Sequence, residues 1–174
     1  MSHADGWLPS SRGKYIVTGV TSIGGMAFRG CENLTEVNLP KSLDYITMLA
    51  FQECHSLNSI VLPEGLRTIG PEAFAFTPLV PAVLPDSLRK IGKRAFYVCG
   101  KLRDVYLSGQ TKTLGAEILG SYDDTHEGLV FTADGWRSDR PAGICVHTPA
   151  GSPAEEYMKR YSGVTVVNDY PEDK

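Results

Sequence analysis

The chain has 174 residues, with 17 Lys+Arg against 20 Asp+Glu, a formal net charge of −3 and 42% apolar residues. This suits one ordinary folded domain and excludes a disordered or fibrous chain; it also excludes a general electrostatic nucleic-acid binder, which needs clustered Lys/Arg and a basic pI. No apolar run reaches the roughly 18 residues of a membrane span, the N-terminus lacks the charged-then-apolar plan of a signal peptide, and four Cys are too few for a disulfide scaffold at this length.

Residues 1–13 carry Trp7 and Leu8, which suit part of an N-terminal cap, with a disordered segment as the equal alternative. From Lys14 a repeat takes over. Ala-Phe pairs fall at Ala27-Phe28, Ala50-Phe51, Ala73-Phe74 and Ala95-Phe96, at spacings of 23, 23 and 22. Ile23, Ile46, Ile69 and Ile91 keep the same step, as do Leu39, Leu62, Leu84 and Leu107. The unit is clearest as LTEVNLPKSLDYITMLAFQECHS from Leu34 to Ser56, and the one-residue deletion in the third coil lies close to Thr77-Pro78. A fixed period of this length is the mark of a solenoid.

Within the unit, Val37 and Leu39 share one face and Asn38 the other, the alternation of a short strand. Pro40, Pro63 and Pro85 end the strands, because proline cannot donate to a ladder. Leu43, Ile46 and Ala50, spaced by three to four, suit a turn of 3₁₀ or α-helix on the opposite side. One coil cannot bury its own apolar face, so the coils stack and their strands form a parallel ladder.

The repeats extend over 14–120. Aligning Leu107 with Val146 leaves them 39 residues apart, an excess of about 16 that fits a loop or hairpin inserted at 121–141. There Val130 to Trp136 suits a strand turning at Asp134-Gly135. Residues 142–174 read as a terminal strand and helical cap. Ser152-Pro153-Ala154-Glu155 is a helix start with Ser as N-cap and Glu at the third position. Tyr157, Met158 and Tyr161 form an apolar stripe, Gly163 ends the helix, and residues 170–174 suit a frayed tail.

This unit resembles the BspA-type leucine-rich repeat, a bacterial variant also abundant in some protozoan surface proteins. The likeness runs from about Lys14 to Leu119, with four Ala-Phe coils and a degenerate fifth at Thr113 to Leu119; Ile144 to Val167 resembles the family's C-terminal cap. It implies an α/β repeat, a right-handed solenoid of about five coils. A parallel strand ladder would line one side, short helical or 3₁₀ returns the other, with a C-terminal helix cap. Thr47 for Gly, Thr77 for Cys, Ala82 for Val and Ser108 for Pro depart from the pattern in single columns.

Little in the chain suggests chemistry. Cys31, Cys54 and Cys99 each sit three residues after a Phe, a spacing unlike that of zinc ligands, and Thr77 interrupts the column with a residue of similar size. Buried structural thiols are expected. Cys145 should face outward beside His147, and a Cys-His nucleophile is conceivable, but no orienting Asn or Asp is evident in the sequence nearby. Asp123, Asp124, His126 and Glu127 carry hard ligands for a cation without the EF-hand pattern, so a solvated acidic loop is expected. Gly24-Gly25 belongs to the repeat, and no catalytic or nucleotide-binding motif appears. The expectation is a chain that is not an enzyme and holds no metal or cofactor.

What remains is the exposed strand column, where solenoids usually bind. The candidate ligand-binding residues are Asn38, Val61, Val83, Arg103, Asp104 and Tyr106, in a stripe that turns apolar with Val80 and Pro81 and ends on Tyr, Arg and Asp. Phe76, Tyr97 and Val98 form a second exposed candidate on the return side. The resemblance implies a cell-surface or secreted adhesion module whose partner is a protein, extracellular-matrix or other host surface protein, with no nucleic acid and no membrane insertion. An intracellular scaffold or a structural spacer is the alternative, suggested by the missing leader and unpaired thiols.

Overall fold

The structure, a computed structural model, describes residues 13–80, 82–119, 130–132, 135–137, 144–160 and 164–170. Trp7, Leu8, the acidic stretch Asp123 to Glu127, Tyr161, Gly163 and residues 171–174 lie outside them. In chain order the elements are β1 (Lys14–Ile16), β2 (Ser22–Ile23), β3 (Glu36–Asn38), β4 (Tyr45–Ile46), β5 (Ser59–Val61), β6 (Thr68–Ile69), β7 (Ala82–Val83) and β8 (Lys90–Ile91). Then follow β9 (Asp104–Tyr106), β10 (Thr113–Leu114), β11 (Val130–Thr132), β12 (Gly135–Arg137), β13 (Ile144–His147), α1 (Pro153–Met158) and β14 (Val164–Val167).

Stacked coils bring these strands into parallel ladders. The V-x-L strands pair as β1-β3-β5 and as β7-β9-β13-β14. The two groups are not joined between β5 and β7, although Val80 N–H reaches Asn58 O at 3.3 Å. A second, unbroken ladder runs β2-β4-β6-β8-β10 along another side of the coil, with Ile23, Ile46, Ile69 and Ile91 in register and buried. β11 and β12 pair antiparallel, Val130 opposite Arg137.

The return after each second-ladder strand makes i→i−3 turns, as in Ala27 N–H to Gly24 O and Arg29 N–H to Met26 O. It does not continue into helix, because alternate N–H groups leave the coil: Met26, Phe28 and Gly30 donate to Met48, Ala50 and Gln52 of the next coil. This alternation places Met26, Leu49, Glu72, Arg94 and Glu117 in the left-handed region, at φ of 60°, 60°, 53°, 54° and 56°. Such a conformation costs an L-residue roughly 1–2 kcal/mol. The inter-coil hydrogen bonds, with the burial of Ala50-Phe51, Ala73-Phe74 and Ala95-Phe96 next to Leu49, Glu72 and Arg94, offset it.

The core is a ladder of side chains. Phe28, Phe51, Phe74 and Phe96 stack at centroid distances of 5.0, 5.3 and 5.5 Å with near-parallel rings, the coil-to-coil spacing of a sheet. Cys54 Sγ donates to Phe28 O at 2.9 Å and Cys99 Sγ to Phe74 O at 3.2 Å. Thr77, in the same column, instead donates within its own coil, to Phe74 O at 2.7 Å. Burial pushes the Cys54 thiol up to about 12 and that of Cys99 to about 11, as expected of inert packing thiols. No cysteine is in a disulfide.

At the C-terminal end α1 covers the stack with Ala154 and Met158, both buried. Ser152 is its N-cap, accepting from Glu155 N–H at 3.1 Å, and Glu155 reaches back to Gly151 N–H at 2.6 Å. The Tyr157 hydroxyl donates to Gly115 O, tying the cap to the fifth coil. The helix ends at Met158, ahead of Gly163, and β14 adds a further strand beside β13. Tyr170 does not fray: it is half-buried, and its hydroxyl donates to Asp86 on the fourth coil. Ser152→Ala should cost about 1 kcal/mol, a typical N-cap loss, read as a lower urea midpoint; an unchanged midpoint would mean the cap does not limit stability.

Candidate functional site

The outward column of the first ladder follows from register. Ile16, Asn38 and Val61 are neighbours on β1, β3 and β5, and Val83, Tyr106, His147 and Val167 are neighbours on β7, β9, β13 and β14. Their inward partners Val37, Val105 and Val146 are buried, so the alternation fixes which face is presented. Ile16, Val61 and Val83 are 67%, 79% and 51% exposed, and Val80 beside them is 44% exposed. Asn38 is exposed as well, and a shallow open depression of about 190 Å³ lies between Asn38, Val61 and the Asn58-Ser59 corner. Ile16, beside Asn38, is a further exposed apolar residue of the column and was legible by parity with Asn38.

The C-terminal part of the column is arranged differently from the sequence alignment. Val146 pairs with Val105, not with the Leu107 column, so β13 is shifted by two residues and the excess over the period is about 18. A two-residue slip leaves every side chain on its own face, so the pattern of alternation could not detect it. The consequence is chemical. Tyr106 lies next to His147, and the rings stack at 4.3 Å and 11°. Asp104 Oδ1 is 3.3 Å from His147 Nε2, and Asp169 Oδ1 is 2.6 Å from His147 Nδ1.

Asp104 and Tyr106 are therefore half-buried and engaged within the chain. Arg103 is exposed, but its guanidinium curls back to donate to Leu102 O at 3.1 Å and Gly100 O at 3.3 Å. The six candidate residues thus divide into an open group, Asn38, Val61 and Val83, and a C-terminal group folded onto itself. Burial by itself would lower the His147 pKa; the hydrogen bonds to Asp169 and Asp104, with their charges, outweigh it, and the net value lies above the ordinary one. Asp169 was missed, and His147 was weighed only beside Cys145, because the meeting of His147 with Tyr106, Asp104 and Asp169 depends on register and on the path of the chain after β14.

Cys145 is half-buried and outward-facing beside His147. Both imidazole nitrogens face carboxylates, so no Cys–His pair of the nucleophilic kind is assembled. Among the described residues, no group of three or more His, Cys, Asp or Glu is placed to hold a metal ion, and no helix is long and apolar enough to cross a membrane. Phe76, Tyr97 and Val98 are half-buried, not exposed. Phe76 and Tyr97 meet edge to face at 5.6 Å, and Arg94 lies over the Tyr97 ring at 5.1 Å.

Known proteins share this architecture. A leucine-rich repeat protein of T. pallidum is similar to this chain at 34% identity and TM-score 0.59, over 62% of this chain and 54% of its own. The pneumococcal vaccine antigen PcpA shares the fold at 18% identity and TM-score 0.63, over 89% of this chain and 41% of its own. The chain thus spans about half the length of these proteins or less. No curated protein matches it. The family described as BspA type leucine-rich repeat region matches residues 14–122 in six copies, and with that match over more than half its length the chain belongs to the BspA-type leucine-rich repeat family.

Proposed function

We propose that this chain is a non-catalytic protein-binding module, adhesin-like and displayed at the cell surface or secreted, that engages a protein partner through the open part of its outward strand column. The observation that carries this reading is the exposed outward column: Ile16, Asn38 and Val61 lie in register on β1-β3-β5, and Val83 is exposed on the neighbouring ladder. Exposed side chains fixed this way lose little freedom on binding, which lowers the cost of association. Large apolar side chains exposed along one face, as Ile16, Val61 and Val83 are, favour an interaction surface. The vaccine-antigen description of the PcpA relative supports display at the surface, and extracellular-matrix or other host surface proteins are the partner class that fits adhesion.

The test is a screen against immobilised matrix and serum proteins, comparing the chain with a Val61→Asp/Val83→Asp double variant. Both side chains are largely outside the core, so the variant should keep its stability within about 0.5 kcal/mol per site while any saturable binding falls at least about tenfold, as expected for loss of anchor residues. Binding that survives the double change would place the site elsewhere. A blank across the whole screen would sink the adhesive reading in favour of a scaffold or spacer.

A further inference from the structure

The outward column ends in a cluster that the binding reading does not use. His147 sits on β13 with its side chain only 13% exposed, against Tyr106 of β9. Its two ring nitrogens face two different carboxylates: Asp104 from β9 at Nε2 and Asp169 from the segment after β14 at Nδ1. An ionised carboxylate can only accept hydrogen bonds, whereas a neutral imidazole donates from one nitrogen and presents a lone pair at the other. In the neutral ring, one of the two carboxylates would therefore face a lone pair. Only the imidazolium, a donor at both positions, satisfies the arrangement.

We propose that His147 is a pH-operated latch, which in its doubly protonated form clamps the segment Asn168–Tyr170 against β13 and on deprotonation loosens it. The latch bridges three parts of the fold that are distant in sequence: β9, β13 and the chain following β14. The titratable groups around the ring are Asp104 and Tyr106 from β9, Asp169 from the segment after β14, and Cys145 two residues away on its own strand. Val167, its register neighbour on β14, carries no charge. No cationic partner of His147 is present among these groups, so the two carboxylates set its proton affinity.

The clamped segment has further ties that define what the latch can move. Thr148 N–H donates to Val167 O at 3.0 Å, Asn168 Nδ2 donates to Thr148 O at 3.2 Å, and Tyr170 donates to Asp86. The segment is thus pinned on both sides of Asp169, and loss of the central ion pair loosens it without unfolding the coils. The sign follows from linkage. The folded value lies above the unfolded one of about 6.5, so the imidazolium's contribution is complete below that pH and is lost as pH rises through the folded value. The latch is therefore closed in mildly acidic conditions and opens toward alkaline ones. Loosening frees the Asp169 carboxylate from the His147 ring and needs no ligand.

The experiment is an NMR pH titration of the imidazole signals of the whole chain, with the protection factor of the Thr148 amide followed in the same samples. His147 is expected to titrate above the ordinary histidine range and to show both ring nitrogens protonated below its midpoint. Thr148 protection should fall across that midpoint, by up to about tenfold per pH unit if opening is coupled to one proton. Asp169→Asn should lower the midpoint and leave Thr148 protection low and independent of pH. An ordinary or depressed His147 midpoint in the unmodified chain would overturn the proposal without recourse to any variant. A raised midpoint with constant Thr148 protection would overturn the latch, leaving only a static ion pair.

Discussion

Phe74→Ala is expected to lower the unfolding free energy by about 3–5 kcal/mol, the range for removing a fully buried aromatic side chain. Phe74 has no exposed surface and is stacked on both sides, at 5.3 Å from Phe51 and 5.5 Å from Phe96. Its neighbours cannot close the resulting gap, because the backbone bonds Phe51 N–H to Ala73 O and Phe74 N–H to Ala95 O hold the coils apart at 2.8 and 2.9 Å. The cavity therefore persists and adds to the lost transfer energy. In a solenoid the damage also uncouples the coils on either side, since each depends only on its neighbours. Urea unfolding should show a lower midpoint together with a smaller m-value, the mark of lost cooperativity. Phe28→Ala, at a half-buried ring near the start of the stack, should cost clearly less. Equal losses at the two sites would mean that position in the stack carries no weight.

Gly92→Ala should destabilise by about 1–3 kcal/mol, the usual cost of forcing atoms into packed structure. The cause is contact, not conformation, because Gly92 is not among the left-handed residues. A Cβ there would stand 2.4 Å from Pro71 N and 2.6 Å from Gly70 C, both backbone atoms of the preceding coil. Gly70 and Gly115 repeat the arrangement, meeting Met48 N at 2.6 Å and Lys93 N at 2.3 Å. Thr47 occupies this column in the second coil, facing Gly24-Gly25, and donates its hydroxyl to Ile23 O at 2.9 Å. Two residues without side chains leave the first coil able to yield there, whereas the Pro71 ring stiffens the peptide that Gly92 faces. Thermal or urea unfolding of the variant decides the matter. A neutral result would mean that the coils separate at that column with little cost.

These two sites were legible in the sequence to different degrees. The Ala-Phe period identified Phe51, Phe74 and Phe96 as equivalent positions of stacked coils, while their stacking ring on ring came from the structure. The Ile-Gly column was equally visible, but its meaning as a line of backbone contact needed the inter-coil geometry. The second strand ladder was not read at all. Leu43, Ile46 and Ala50 fit a helical spacing, and a two-residue strand is too short to show an alternation of its own. The left-handed residues on the returns were invisible for another reason: Leu49, Glu72 and Arg94 have no preference for that conformation, which is imposed by hydrogen bonds to the next coil.

The sequence by itself determined the repeat, the stacking direction of its apolar columns, the inert cysteine column and the parity of the strand face, since all four depend on residue type at a fixed period. It also placed Asn38, Val61 and Val83 on the outward side. Only the tertiary structure decided the register of β13 across the insertion, and with it the meeting of Tyr106, Asp104, His147 and Asp169. Alternation repeats every two residues, so a slip of two is silent in the pattern of apolar and polar side chains, while hydrogen bonds between strands distant in sequence distinguish the two alignments.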